Sequence, residues 1–351
     1  MESDDISMQE EILSRRRLVF INGQVYYSCY YSYFSEALNW PGRPLINEMT
    51  TVGSLYSAIY AGDTANFSDY GTFLTYYMSR KLSIQSDVLR AAQGILRKHT
   101  LLTGIHCFEG LPAPLDRSLL FQKSRQPISY AYGRRDGFPS YSWTGWKSAS
   151  KYDHELEGED AVSNDRAVDE DSSSRISNLR GWITWHCKLE DGNHYRIDNS
   201  GRLRKAPLPS AAAGISKGRQ AFRQISAVVS DIDLGSSRPS SFPLLLFWTI
   251  CVNLELVQSA QDEHYPVGLV NYQAIDKHGS SCGIVMVDMI IPSLTRGNLA
   301  LIAVNDDEFW ALLVMWTDGG IAERRGLARL PTDVLTRCLD PGPRWKAIVL
   351  G

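Results

Sequence analysis

Residues 244–256 read LLLFWTICVNLEL, and this stretch decides the class of fold. Large apolar residues recur at every second position from Leu246 to Leu256, while Asn253 and Glu255 lie between them. A period of two is typical of a β-strand, because successive side chains point to opposite faces of a sheet. The stretch therefore predicts a long strand with one buried face.

The sequence from residue 179 onward continues this pattern in shorter segments. Turn-forming residues such as Asp191-Gly192 and Asp318-Gly319-Gly320 separate runs of β-branched and aromatic residues. Further strands are predicted at 183–189, 267–276, 284–291, 299–304, 309–316, 321–327 and 345–350, and a short helix at 331–335. Short strands divided by turn signals favour an antiparallel, sandwich-like layer. We therefore predict a β-rich C-terminal domain at 179–351.

Residues 1–125 favour helices after one opening hairpin. Asn22-Gly23 separates the apolar runs 17–21 and 25–33, and Asn-Gly suits a type I′ turn because both central residues need φ > 0. Ser86 is expected to cap a helix whose apolar residues recur at three- and four-residue spacing. Because a lone hairpin is marginally stable, a further layer is expected to cover its apolar face. The predicted fold class is α+β.

Residues 126–178 form the third segment of this division. Phe138–Trp146 predicts a compact aromatic turn. Residues 151–174 are rich in Asp, Glu and Ser, with almost no bulky apolar residue. Such a composition cannot bury enough surface to offset the entropy of ordering the chain, so an exposed, disordered loop is expected there.

Composition excludes several classes of partner. Hydrophobic residues make up 44% of the chain, charged residues 21%, and the net charge is −3, as in soluble globular proteins. We expect neither nucleic-acid nor membrane partners, since no strong basic excess is present and the longest apolar run, Leu244–Val252, is too short to cross a bilayer. Six scattered cysteines favour reduced thiols and a cytoplasmic location.

The segment Gly279-Ser280-Ser281-Cys282-Gly283 matches the G-x-S-x-G motif of α/β-hydrolases. That motif works where a strand turns sharply into a helix, whereas β-branched residues follow here at 284–291. His278 also lies on the wrong side of the motif for the usual order of Ser, acid and His. A hairpin turn is the favoured interpretation, and a serine hydrolase that uses Ser281 stays open as an alternative.

Two His-Cys pairs, His106-Cys107 and His186-Cys187, resemble metal ligands. Neighbouring residues on a strand point to opposite faces, so neither pair is expected to chelate one ion. Buried thiols and half-buried imidazoles are expected instead, with no metal and no cofactor. The run Arg15-Arg16-Arg17 is interpreted as a solvated helix end rather than a phosphate site.

An ordered set of motifs resembles the fungal heterokaryon-incompatibility (HET) family over nearly the whole chain. Gln9–Arg16 followed by the strand 18–21 resembles the last block of the HET domain. Further segments that look like those of the family follow in the same order at 86–97, 138–146, 247–249, 316–327 and 345–350. By this resemblance, residues 1–125 are the C-terminal remnant of a HET domain, which is similar to TIR domains.

The resemblance implies a role in non-self recognition, in which the HET domain triggers the death of fused cells. Ile6-Ser7 occupies the position of the family's Trp-Thr pair, so a truncated, non-catalytic form is expected. It would bind other HET-family or regulatory proteins through the uncovered hairpin. Some TIR domains cleave NAD, and Glu10 is then the candidate catalytic carboxylate of a full-length form, although a surface position is the favoured interpretation.

Overall fold

The computed structural model describes residues 13–36, 67–123, 133–152, 182–229, 241–259 and 271–351, with short gaps inside these ranges. The chain divides into two compact units, Met1–Ile105 and His106–Gly351. The sequence predicted a boundary at residue 125, whereas the second compact unit begins at His106; the division into 126–178 and 179–351 stays a prediction. Most of the predicted acidic loop lies outside the described residues.

The first unit contains a three-stranded antiparallel sheet of β1 (Arg16–Ile21), β2 (Gln24–Cys29) and β3 (Ser32–Ser35), in that order. Gly23 joins β1 to β2 with a φ of 74°, as the turn chemistry requires. The hairpin prediction is confirmed, and β3 extends it. The predicted solvated helix end at Arg15–Arg17 is wrong for Arg16 and Arg17, which open β1, while Arg15 lies outside the described residues.

Two helices follow in this unit, α1 (Phe67–Met78) and α2 (Val88–Thr103), with a 3₁₀ turn at Gln85–Asp87 between them. Helix α2 buries an apolar stripe at three- and four-residue spacing, as predicted: Val88, Ala92, Ile95 and Leu96. The predicted cap by Ser86 is wrong, because the 3₁₀ turn places Asp87 at the N-cap.

The second unit combines short hairpins with one large sheet, and its elements are as follows. They are β4 (Cys107–Phe108), β5 (Leu111–Pro112), α3 (Leu115–Ser118), β6 (Phe121–Lys123), a 3₁₀ turn (Trp143–Gly145), β7 (Ser150–Tyr152), β8 (His186–Lys188), β9 (His194–Ile197), β10 (Leu203–Lys205), α4 (Ala211–Ala221), β11 (Val228–Val229), β12 (Leu244–Gln258), β13 (Asn271–Ile275), β14 (Ser281–Val287), β15 (Arg296–Val304), β16 (Glu308–Trp316), β17 (Ala322–Pro331), α5 (Val334–Arg337) and β18 (Arg344–Leu350). Lys151 and Tyr152, predicted as disordered, thus belong to β7, which pairs with β6.

The large sheet closes on itself through six antiparallel strands. Hydrogen-bonded neighbours run from β12 to β13, β14, β17, β16 and β15, and β15 pairs with β12 again. Closure is possible because β12 has 15 residues, so its first half pairs with β8 and β18 while its second half pairs with β13 and β15. The strands expected to form a sandwich-like layer therefore belong to one connected sheet, mostly antiparallel.

Strand β12 is covered on both faces along its first half. Residues 244–252 are all buried, and the predicted alternation holds only in the second half, where Glu255 is exposed between Leu254 and Leu256. Helix α4 covers one face so closely that a Cβ built on Gly214 would lie 2.5 Å from Trp248 Cβ. The opposite face carries Phe247, whose ring centroid lies 4.7 Å from that of Trp185.

The predicted aromatic turn at 138–146 is confirmed. Ser142 caps its 3₁₀ turn by accepting the Thr144 N–H at 3.1 Å. The Trp146 indole donates to the Ser140 carbonyl at 2.9 Å, and the Trp143 indole donates to the Gly110 carbonyl at 3.2 Å. The two buried indole N–H groups of this turn are thus paired with backbone acceptors, and the Trp143 bond fixes the turn against β4 and β5.

A buried cation, Arg324 in β17, joins this turn to the sheet. Its guanidinium donates to Asp288 Oδ2 at 2.9 Å, to the Leu119 carbonyl at 2.8 Å and to the Phe121 carbonyl. The backbone N–H of Arg324 donates to Ser140 Oγ at 2.8 Å. Arg324 and Asp288 are both buried, so their attraction is little screened by water.

We expect Asp288→Ala to lower the free energy of unfolding by about 3–5 kcal/mol, since it leaves the buried Arg324 charge uncompensated. Urea denaturation followed by circular dichroism measures the change. Glu323→Ala is the matched control: it breaks the pair with Arg325, whose two side chains remain partly exposed to water, so it should cost less than about 1 kcal/mol. Equal losses in the two variants would contradict a special role for the buried pair.

Candidate functional site

The two residues named as catalytic candidates have different outcomes. Glu10 lies outside the described residues, so its role stays a prediction. Ser281 is the exposed first residue of β14 and pairs with Ile275 of β13 across a hairpin. Gly279 turns the chain with a φ of 79°, and β14 follows where a nucleophile motif requires a helix. The hairpin interpretation of the G-x-S-x-G match is confirmed.

A carboxylate beside this motif, that of Asp276, is hydrogen-bonded to the backbone of the turn. Asp276 Oδ1 accepts the backbone N–H groups of His278 at 2.8 Å and Ser280 at 3.0 Å, and Oδ2 pairs with Arg337 at 2.9 Å. The Ser280 N–H and these other donors lower the pKa of Asp276 below its usual range. Asp276 is therefore a structural acceptor whose two carboxylate oxygens hold the turn and Arg337.

The His186-Cys187 pair is buried on both sides of β8. Burial, with the nearby Glu109 carboxyl, raises the pKa of the Cys187 thiol to about 12. Burial lowers the pKa of His186 to about 4, assisted by the neighbouring charges of Arg196, His194 and Lys217. The expected half-buried imidazole is wrong for His186, which is only 6% exposed, because its strand face continues the apolar row of β12.

His106 is half-buried, as expected, and its Nε2 accepts from Arg202 Nε at 3.3 Å. Cys107, Cys187, Cys251 and Cys282 are free thiols. Among the described residues, no three His, Cys, Asp or Glu side chains are grouped so that they could hold a metal ion. The helices in the same part of the chain include none that has the length and apolar character needed to cross a membrane.

We expect protonation of His186 to destabilise the fold as the pH falls from about 6.5 toward 4. In that window the unfolded chain binds the proton and the folded chain does not, so stability rises with pH. Urea denaturation at a series of pH values should show a shallower slope for His186→Gln than for the wild type. His278→Gln, at an exposed turn position, should keep the wild-type slope; an unchanged slope in His186→Gln would contradict the assignment.

An exposed apolar surface lies on one face of the three-stranded sheet. Register places Leu18 opposite Tyr27, and Tyr27 opposite Phe34, while Phe20 lies on the same face of β1 as Leu18. Leu18 is 58% exposed, Phe20 70% and Phe34 47%. Large apolar side chains grouped in this way usually mark a contact surface. We call Leu18, Phe20, Tyr27 and Phe34 the apolar sheet face.

Opposite charges lie at the two ends of the apolar sheet face. Arg16 is exposed on the same side of β1 as Leu18, at the end where β1 begins. Glu36 is exposed at the other end, where it follows β3 and its Oε2 accepts the Val25 N–H at 3.2 Å. Along the strand direction, the face thus has a cation (Arg16) at one end, apolar residues in the middle and a carboxylate (Glu36) at the other end. This pattern is complementary to a copy of itself turned end for end.

Comparison with protein-family models, with curated proteins and with solved structures gives no match for this chain. The resemblance to the HET family therefore stays a prediction from the sequence motifs.

Proposed function

We propose that this protein is a HET-type protein of fungal non-self recognition that acts by binding other proteins. The sequence motifs support the family, and the apolar sheet face supports the mode of action. The free thiols of the second unit agree with a reducing compartment, so the proposed location is the cytoplasm. In this role the chain transmits a cell-death signal by contact rather than by chemistry.

The observation that carries this proposal is the exposure of Leu18, Phe20 and Phe34 on a sheet that also has charged ends. Burying such side chains against a partner is favourable by roughly 25 cal/mol per Å² of apolar surface removed from water. We infer that the apolar sheet face binds a second copy of the same chain. A two-fold axis that lies in the plane of the sheet and is perpendicular to the strands brings Arg16 of one copy to the same end of the interface as Glu36 of the other, so each end carries opposite charges.

We expect the wild-type protein to dimerise and Phe20→Glu to weaken the dimer by about tenfold or more, since a buried carboxylate without a partner opposes association. Sedimentation equilibrium gives the dissociation constant. Leu101→Glu is the matched control, because Leu101 is 81% exposed but lies on α2. A wild type that stays monomeric at high micromolar concentration, or equal weakening in both variants, would refute this interface.

Charge reversal tests the end-for-end arrangement separately. Arg16→Glu should weaken the dimer, because it sets two carboxylates against each other at each end of the interface. Combining it with Glu36→Arg should restore part of the affinity. A double variant that is weaker than either single variant would contradict the two-fold arrangement while leaving the apolar contact in place.

The signalling role is tested by inducible expression in a filamentous fungus. We expect wild-type protein to stop growth, and Phe20→Glu, at equal abundance, to allow growth because the contact is lost. Leu101→Glu should behave like the wild type. Release of nicotinamide on incubation of the purified protein with NAD would instead favour the enzymatic alternative through Glu10.

A further inference from the structure

A second surface, in the large sheet, carries a concentration of basic side chains. Strands β8, β9 and β10 are paired in register so that His186, Arg196 and Arg204 form one row across the strands. Lys188 and His194 form the adjacent row on the same face. Side chains of directly opposed residues lie close together on one face of a sheet. We call these five residues the basic sheet face.

Helix α4 adds a further cation beside this face. Leu246 of β12 is the register partner of His186, so the basic sheet face continues the side of β12 on which α4 packs. Lys217 of α4 donates its Nζ to Thr184 Oγ1 at 3.0 Å, two residues before His186. The charges of Lys217 and Arg196 both act on the His186 imidazole, in agreement with this placement.

Among the described residues, Asp198 is a carboxylate at the edge of this surface, and its oxygens are engaged in hydrogen bonds. Asp198 pairs with Arg204 at 3.0 Å and also accepts the N–H groups of Ser200 and Arg202. Within the described part of the chain, Arg196 is exposed and makes no ion pair. Among the described residues, Arg196, Arg204 and Lys217 thus place three cations around the carboxylate of Asp198. Such an excess favours a ligand with more than one negative charge.

Unpartnered polar atoms lie at the base of the same surface. His186 is 94% buried, since its exposure is 6%, and its Nδ1 has no hydrogen-bond partner; the same holds for the buried Nε2 of His194. Most buried polar groups in folded proteins are hydrogen-bonded, and an unpaired one costs free energy. A neutral imidazole offers one N–H donor, so each histidine can donate to an anion held by the neighbouring arginines.

We propose that the basic sheet face is a binding site for a phosphate group in its dianionic form. Arg196 and Arg204 lie on adjacent strands, and their planar guanidinium groups match the oxygens of phosphate, to which arginine can donate two parallel hydrogen bonds. His186 and His194 supply N–H donors beneath them, and Lys217 neutralises charge at one side. This site is independent of the apolar sheet face and of its proposed partner.

Inorganic phosphate is the probe for this site. Isothermal titration of the whole protein at pH 7.5 and low ionic strength should show saturable binding of one phosphate per chain. Arg196→Gln should weaken this binding by about tenfold or more, because a charge-assisted hydrogen bond is lost. Arg196 is exposed, so the variant should keep the wild-type circular dichroism spectrum and urea midpoint.

Lys205→Gln is the matched control for Arg196→Gln. Lys205 lies next to Arg204 on β10 but pairs with Tyr195 and so points to the opposite face, while the change in net charge is the same. It should alter phosphate affinity by less than about twofold, since only distant screened charge is removed. Equal weakening in the two variants would overturn the site, because it would indicate attraction by net charge alone.

Two further outcomes would also overturn the proposal. Absence of saturable binding at millimolar phosphate is one. The other is tight, salt-dependent binding of a single-stranded oligonucleotide without binding of inorganic phosphate, since that pattern indicates a backbone-tracking surface rather than a phosphate pocket.

Discussion

The fold of the second unit depends on one buried cation, Arg324. A guanidinium group removed from water must find a counter-charge and hydrogen-bond acceptors inside the protein. Asp288 supplies the charge, and the carbonyls of Leu119 and Phe121 supply acceptors from a segment far away in the sequence. Ser140 accepts the backbone N–H of the same residue, so the aromatic turn is held at the same point. The positions of Leu119, Phe121 and Ser140 on the sheet are therefore set by contacts with this buried cation as well as by apolar packing.

Local patterns in the sequence predict the individual strands and turns of this fold better than they predict which strands pair with each other. The alternation of 244–256 predicts β12, and the Asn-Gly pair predicts the β1–β2 hairpin, because both signals arise within a few residues. The closure of six strands is not predictable in this way, since β15, which closes the ring by pairing with β12, lies far from it in the chain. For the same reason the alternation misses the second covered face of residues 244–252, which α4 and Trp185 supply from other segments.

The two surfaces differ in how far the sequence reveals them. The apolar sheet face follows from apolar residues that flank a recognisable turn, although the third strand with Phe34 gives no separate signal. The basic sheet face is not visible in the sequence, because Lys188, Arg196 and Arg204 are separated by eight residues each and only strand register brings them together. A resemblance to a family cannot supply such a site either, since it depends on pairing geometry. The match at Ser281 shows the converse: the motif is visible in the sequence, but it lies in a β-hairpin rather than at the strand-to-helix turn that a nucleophile requires.

The pairing of β12 with β18 also affects how the chain folds during its synthesis on the ribosome. Strand β12 is made before all of β13 to β18, yet its first half needs β18 at residues 344–350 to complete its pairing. At a translation rate of about 5–20 residues per second, the roughly 90 residues between them take about 5–20 s to make. Throughout that interval residues 244–252, nine apolar or uncharged residues, lack their hydrogen-bonding partner β18. An unpaired strand edge of this kind can pair with other chains, so we expect a co-translational chaperone to bind the nascent chain.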